Sequence, residues 1–158
     1  MSKKLILMRH GEAEIGAGYQ SDFDRKLSAT GKYRLQRLSK VLGERKFQLD
    51  LLIKSPSRRT METASILLQN LEVKEQQIQE TIYESSVDNL LDLIQSLPDQ
   101  YAEVLIIGHN PSLTSLLAYL TGDSILSLSP GMMAIVSFDL AEWAMLSKGT
   151  GYLNEVLQ

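Results

Sequence analysis

The sequence predicts an α/β protein, a three-layer α/β/α sandwich around a mostly parallel sheet with an antiparallel strand at its C-terminal end. Three observations predict it. Several apolar runs are continuous, not alternating, as in strands buried on both faces. Helical periods separate these runs, which favours parallel strands joined by crossover helices. Two runs also end in a glycine and a histidine, "LMRHGE" and "LIIGHNPS", and these are the only two histidines in the chain.

The elements follow in order. "KKLILM" near the N-terminus is bounded by charge and reads as a first strand. Leu35, Leu38 and Leu42 fall on one helical face after Ser28, a capping residue type. "LDLLIKS" is a second buried strand that stops at Ser55-Pro56, and Met61, Ala64, Ser65 and Leu68 give the next helical stripe. Leu90, Leu91, Ile94 and Leu97 form a third stripe ahead of Pro98. "EVLIIG" is another buried strand. "HNPSLTSLLAYLTG" reads as a helix with Asn110 near its N-cap, Pro111 in its first turn and Gly122 closing it. Residues 132–138, "MMAIVSF", and 142–147, "EWAMLS", are predicted as two final strands around a short polar turn.

At 158 residues the chain fits one domain over 1–158 with an ordinary core. A hydrophobic content of 44% and a charged content of 22% exclude a disordered class. The net charge of −3 gives no basic footprint for nucleic acid. With no cysteine, disulfides and thiolate metal sites are excluded, and a reducing cytosol is compatible. The apolar stretch Leu5–Met8 is too short for a signal peptide, and no run reaches membrane-spanning length. A cytoplasmic protein without membrane contact is expected.

In open α/β sheets, ligands gather beyond the carboxyl ends of the strands, where both histidines fall. His10 follows Arg9, whose planar fork of donors suits phosphate oxygens. Gly11 permits a sharp turn or a close approach to a ligand. A guanidinium beside His10 favours the neutral, nucleophilic imidazole. His109 follows Gly108 and precedes a helix N-terminus, where backbone N–H groups attract anions. "SPSRRTMETA" sends an arginine toward the same edge from a first helical turn. Spacing alone leaves Arg58 and Arg59 as alternatives, because successive helical residues point about 100° apart. Arg25, in "DFDRKLSATG", is a loop charge ahead of a capped helix. A metal site is disfavoured, since no third ligand follows a comparable strand and the arginines would repel a cation.

Together, "LMRHGEAE", "DRKLSATG", "SPSRRTMETA" and "LIIGHNPSL" resemble the histidine phosphatase superfamily, with its phosphoglycerate-mutase-like fold. The segments occur in the family's order over residues 5–120. The short chain and "GHNPSL" most resemble the SixA-type phosphohistidine phosphatases. The resemblance implies that His10 is the nucleophile and that Arg9 binds phosphate. It selects Arg59 over Arg58, gives His109 the task of completing the phosphate pocket, and makes Arg25 the loop arginine. Gly11 and Asn110 join the substrate-binding set. Lys26 stands where proline is usual, and Met61-Glu62-Thr63 where a Gln-Thr pair is more common.

The mechanism so implied is in-line attack by His10 on phosphorus, followed by hydrolysis of the phosphohistidine enzyme. Arg9, Arg59 and His109 stabilise charge on the phosphoryl oxygens, so no cofactor and no metal are expected. Ester substrates call for a general acid, for which Glu80 and Glu84 are candidates, each also readable as a solvated strand-end charge. A phosphohistidine has a better leaving group and needs less acid assistance. Residues 70–89 are too few for the helical lid of larger relatives, which suits a phosphorylated side chain on another protein. The expected substrate is therefore phosphohistidine on a signalling phosphotransfer protein, such as a histidine-phosphotransfer domain. The alternatives are a small-molecule phosphomonoesterase, a mutase and a non-catalytic phosphate-binding module. Oligomeric state is left open.

Overall fold

Ten regular elements follow one another along the chain. They are β1 (Lys3–Arg9), α1 (Ala29–Glu44), β2 (Gln48–Lys54), α2 (Arg58–Leu67), β3 (Glu72–Ile78), α3 (Val87–Gln95), β4 (Glu103–Gly108), α4 (Ser112–Thr121), β5 (Met133–Phe138) and β6 (Gly151–Leu157). The structure is a computed structural model describing residues 2–16, 18, 20–124 and 126–158.

The strands form one sheet in the order β3-β2-β4-β1-β5-β6. β1, β2, β3 and β4 are mutually parallel, while β5 runs antiparallel to both β1 and β6. The continuous apolar runs explain the layering. Leu5 and Leu7 of β1, Leu51 and Ile53 of β2, and Val104 and Ile106 of β4 bury one face against α3 and α4. Ile6, Met8, Leu52, Leu105 and Ile107 bury the other against α1 and α2. Each of these side chains is fully buried, and each such burial contributes roughly 1.5–3 kcal/mol relative to exposure. The three central strands therefore anchor the sandwich. No helix among the described residues is long and apolar enough to cross a membrane.

Helix starts follow from local chemistry. Ser28 accepts from the Gly31 N–H and caps α1, and Ser86 does the same for α3 through the Asn89 N–H. Gly31 has a second role. A Cβ there would lie 2.3 Å from the Glu12 carbonyl oxygen, so only glycine lets the chain after His10 rest on α1. Gly122, at φ 75°, ends α4 in the left-handed conformation.

Four features differ from the sequence reading. Residues 142–147 are not a strand: Trp143–Met145 is a short 3-10 helix. Trp143 is fully buried and its indole N–H donates to the Tyr101 carbonyl at 2.7 Å. The final strand is instead β6, an edge strand whose exposure alternates residue by residue, with Tyr152 and Asn154 facing out. β3, "EVKEQQI", has no counterpart among the predicted strands, because an edge strand exposed at Glu72, Lys74, Glu75, Gln76 and Ile78 carries no apolar run. On α2 the buried face is Thr60, Thr63, Ala64 and Leu67, while Met61 and Leu68 are only half-buried and Ser65 is exposed. Two threonines on the core side hid that stripe. Finally, α4 begins at Ser112, so that Pro111 is its N-cap and not part of its first turn, while Asn110, next to the N-cap as expected, accepts from the Thr114 hydroxyl and N–H.

Candidate active site

β1, β4 and β2 are adjacent and parallel, with Arg9 in register with Gly108 and Lys54 with Ile107. The residues just past their carboxyl ends, His10, His109 and Ser55, must therefore share one edge of the sheet. The backbone locks them there. The His10 N–H donates to the Gly108 carbonyl, and the Ser55 N–H to the Ile107 carbonyl. The two imidazole centroids lie 5.1 Å apart with ring planes inclined by 55°.

Arg59 organises the site from the first turn of α2, nearly buried. Its Nε–H donates to His10 Nε2 at 3.1 Å, and Nη2 lies 3.3 Å from His109 Nδ1. Arg58, one residue earlier, turns outward to an exposed ion pair with Glu62. The helical offset of about 100° leaves room for only one arginine to face the imidazoles.

The partner of His10 fixes its proton. His10 Nδ1 lies 2.7 Å from the Gly11 carbonyl, which only accepts, so Nδ1 carries the hydrogen. Nε2 then has a free lone pair, directed at the Arg59 donor. Burial, reinforced by His109, Arg59 and Arg9, pushes the His10 pKa down to about 3, against the raising effect of the Gly11 carbonyl. Burial and Arg59 push His109 down to about 4. Both rings are neutral at neutral pH. His109 Nε2 lies 2.8 Å from the Ser55 hydroxyl.

Arg9 closes another side. Nη1 donates to the Leu128 carbonyl at 3.2 Å, and its buried Nε has no hydrogen-bond partner. Burial and the neighbouring Arg59 lower its pKa. The orphaned donor matters, because a buried unmade hydrogen bond costs about 1–3 kcal/mol. An anion reaching it would recover that cost.

The site also contains groups that the motifs do not single out. Asp22 accepts from Arg59 through its backbone carbonyl at 2.7 Å and its carboxylate at 3.1 Å. The same carboxylate accepts from Tyr83 Oη at 2.7 Å and Arg25 Nη1 at 2.9 Å. These donors, Tyr83 foremost, hold the Asp22 carboxyl well below the usual carboxylate range. Tyr83 also meets the His109 ring edge-on, with centroids 5.4 Å apart. Thr63 Oγ1 accepts from the Gly11 N–H at 3.0 Å and donates to the Arg59 carbonyl at 2.7 Å, tying the two arms of the site together. Asp22 had a weak signal in "DFDR"; Tyr83 had none, because its contact spans 61 residues of sequence.

Other candidates take peripheral places. Arg25 reaches Arg59 only through Asp22 and is itself held by the Glu14 carbonyl. Gly11 lies against Leu35, where a Cβ would come within 2.6 Å of Cδ1. Asn110 spends its amide on the Leu128 carbonyl, the acceptor that also holds Arg9. Glu80 and Glu84 are exposed and hydrogen-bond to neither imidazole nor to Arg9 or Arg59. Among the described residues, no group of three or more carboxylates and imidazoles could hold a metal ion.

The arrangement brings together two neutral imidazoles, two guanidiniums and one carboxylate, with His10 Nε2 meeting only the exchangeable Arg59 donor. Comparison with known proteins identifies the fold and the family. The chain is similar to the Nakamurella multipartitia protein assigned as phosphohistidine phosphatase SixA, with TM-score 0.83 and 22% identity over 100% of this chain and 96% of that one. It is similar to the protein histidine phosphatase SixA solved with tungstate, at TM-score 0.82 and 23% identity, covering 98% and 96%. A mycobacterial glucosyl-3-phosphoglycerate phosphatase has TM-score 0.69 and 16% identity over 98% of each chain. At these identities the likeness is one of fold. No curated protein sequence matches the chain. The profile described as "Histidine phosphatase superfamily (branch 1)" matches residues 5–93, the stretch carrying Arg9, His10, Arg25 and Arg59. More than half of the chain is covered by that match, and on it the chain belongs to the histidine phosphatase superfamily.

Proposed function

We propose that this phosphatase works through a phosphohistidine formed on His10 and acts on phosphohistidine carried by a signalling phosphotransfer protein. The observation that carries the chemistry is the fixed tautomer of His10, whose Nδ1–H is committed to the Gly11 carbonyl while the Nε2 lone pair points at the Arg59 donor, which a phosphoryl oxygen can take over. Nε2 attacks phosphorus in line. The P–N bond of the substrate breaks with its electron pair going to the departing imidazole, which takes a proton from water. A second water attacks the enzyme-bound phosphorus, the Nε2–P bond breaks with its pair returning to Nε2, and inorganic phosphate leaves. Arg59 and Arg9 neutralise charge developing on the equatorial oxygens.

The short connection between β3 and α3 supports a protein substrate. β3 and α3 are joined by residues 79–86, which make one short 3-10 helix and no helical cover. Without a helical cover over this connection, a phosphorylated side chain projecting from another protein has a route to the sheet edge. Among the described residues, no carboxylate hydrogen-bonds to His10 Nε2, which suits an imidazole leaving group better than an alkoxide.

The test is a competition of substrates. The protein is mixed with a phosphorylated histidine-phosphotransfer domain and, in parallel, with a panel of phosphorylated metabolites, and phosphate release is followed. The reading predicts the higher kcat/KM for the phosphotransfer domain. A metabolite turned over much faster would overturn the proposed substrate and leave the mechanism standing.

A further inference from the structure

We infer that Ser55 is a positioning residue that lets His109 exchange tautomers, so that the ring accepts from Arg59 in the free site and donates to the phosphoryl group in the occupied one. This rests on the proposed phosphatase reading and adds to it a residue outside the imidazole–guanidinium set.

The two histidines have different partners behind them. Behind His10 is the Gly11 carbonyl, an acceptor in every state, which holds one tautomer permanently. Behind His109 is the Ser55 hydroxyl, 2.8 Å from Nε2, which can accept or donate. In the free site His109 Nδ1 faces the Arg59 guanidinium at 3.3 Å. A guanidinium only donates, so Nδ1 is the bare nitrogen, Nε2 carries the hydrogen and Ser55 accepts it.

That state is wrong for holding a phosphoryl group. A bare Nδ1 presents a lone pair to an oxygen that also bears lone pairs, and the two repel. Burial disfavours the doubly protonated ring. The economical route moves the single hydrogen from Nε2 to Nδ1, one proton being released to solvent water and one taken up from it. Arg59 then turns its Nη2 donor to the incoming anion, and the Ser55 hydroxyl rotates to donate to Nε2. Ser55 is equipped for both states. It is fully buried, its backbone N–H is committed to the Ile107 carbonyl, and the Ser57 N–H donates to its oxygen at 3.2 Å. One lone pair is thus always occupied, leaving the hydroxyl hydrogen and the second lone pair for His109. A carbonyl or an apolar residue at this position would satisfy one state at most.

The experiment reads tautomers directly, by nitrogen-15 NMR of the histidines in the full chain, free and saturated with orthovanadate. The expected result is that His10 keeps hydrogen on Nδ1 when free, and that His109 changes from hydrogen on Nε2 to hydrogen on Nδ1 when vanadate binds. Vanadate that perturbs His10 while His109 keeps hydrogen on Nε2, or gains a second proton, overturns the inference and leaves the phosphatase reading intact. Failure of vanadate to bind, together with failure to phosphorylate His10, overturns both. The variants Ser55→Ala and Ser55→Thr supply the kinetic arm. Ser55→Ala is expected to lower kcat by at least about tenfold, in the range for removing a group that orients a catalytic imidazole. Its KM should change much less, and Ser55→Thr, which keeps the hydroxyl, should recover activity. Equal activity in a folded Ser55→Ala protein contradicts the inference.

Discussion

The Nε–H of Arg59 sits 3.1 Å from Nε2 of His10, so the base carrying the proposed chemistry is covered by a cation in the free protein. The same guanidinium reaches His109 and Asp22. Arg59 therefore links both imidazoles and Asp22, and it must exchange at least some of these bonds for phosphoryl oxygens when substrate binds. Several consequences can be measured.

Asp22 competes with substrate for Arg59. Its carboxylate, held by Arg59, Arg25 and Tyr83, occupies an Arg59 donor that an anionic oxygen could otherwise take. Asp22→Asn keeps an acceptor for these donors and removes the negative charge. Inhibition by inorganic phosphate should become roughly two- to fivefold tighter, the scale of a half-exposed ion pair. Weaker inhibition would mean that Asp22 positions Arg59 more than it competes with the anion.

Thr63 couples the His10 turn to α2. Thr63→Val is close to isosteric but leaves the buried Gly11 N–H without its acceptor. The expected cost is about 1–3 kcal/mol by urea unfolding, with a fall in kcat as Gly11 and the His10 ring lose their mutual register. Thr63→Ser should restore most of both. Unchanged stability in Thr63→Val would show that the Gly11 N–H finds another partner.

Stability should fall as pH drops below neutral. His10 and His109 have pKa values near 3 and 4 in the folded chain against 6.5 unfolded. Between about pH 6.5 and pH 4 the unfolded chain binds more protons, so acid favours unfolding. Each ring contributes a slope of about 1 kcal/mol per pH unit over that window. Urea midpoints taken from pH 7 to pH 4.5 should show it, and His10→Gln or His109→Gln should each reduce the slope. A wild-type profile flat across the window would mean that the rings are not buried neutral.

Trp143 belongs to the core and not to a strand. Trp143→Phe keeps an aromatic ring and removes the donor to the Tyr101 carbonyl. A loss of about 1–3 kcal/mol is expected from the buried carbonyl left behind, read by circular dichroism with activity retained in the folded fraction. A neutral substitution would contradict the burial assigned to this residue.

Legibility in the sequence followed the strength of the physical signal. β1, β2 and β4 are read easily because burial on both faces demands an uninterrupted apolar run, and the pairing of two such strands brings His10 and His109 together. β3 and β6 are edges with one covered face at most, so their sequences look like loops. The "EWAMLS" stretch is misleading because a buried 3-10 helix built around Trp143 is as apolar as a strand. Within the site, periodicity cannot separate Arg58 from Arg59; the resemblance selects Arg59, and the fold puts that residue on both imidazoles. The contacts of Asp22 with Tyr83 and of Ser55 with His109 join residues more than fifty positions apart. Such pairs have no local signature.

The central claim is that His10 carries phosphate during turnover. Brief incubation with a phosphotransfer domain labelled with radioactive phosphate on histidine, followed by quenching in base, should trap a labelled enzyme. The bond is predicted to be stable in base and lost in acid, as a phosphoramidate is, and absent from the His10→Ala protein. No label in the wild-type chain, or label that persists in His10→Ala, would contradict the account.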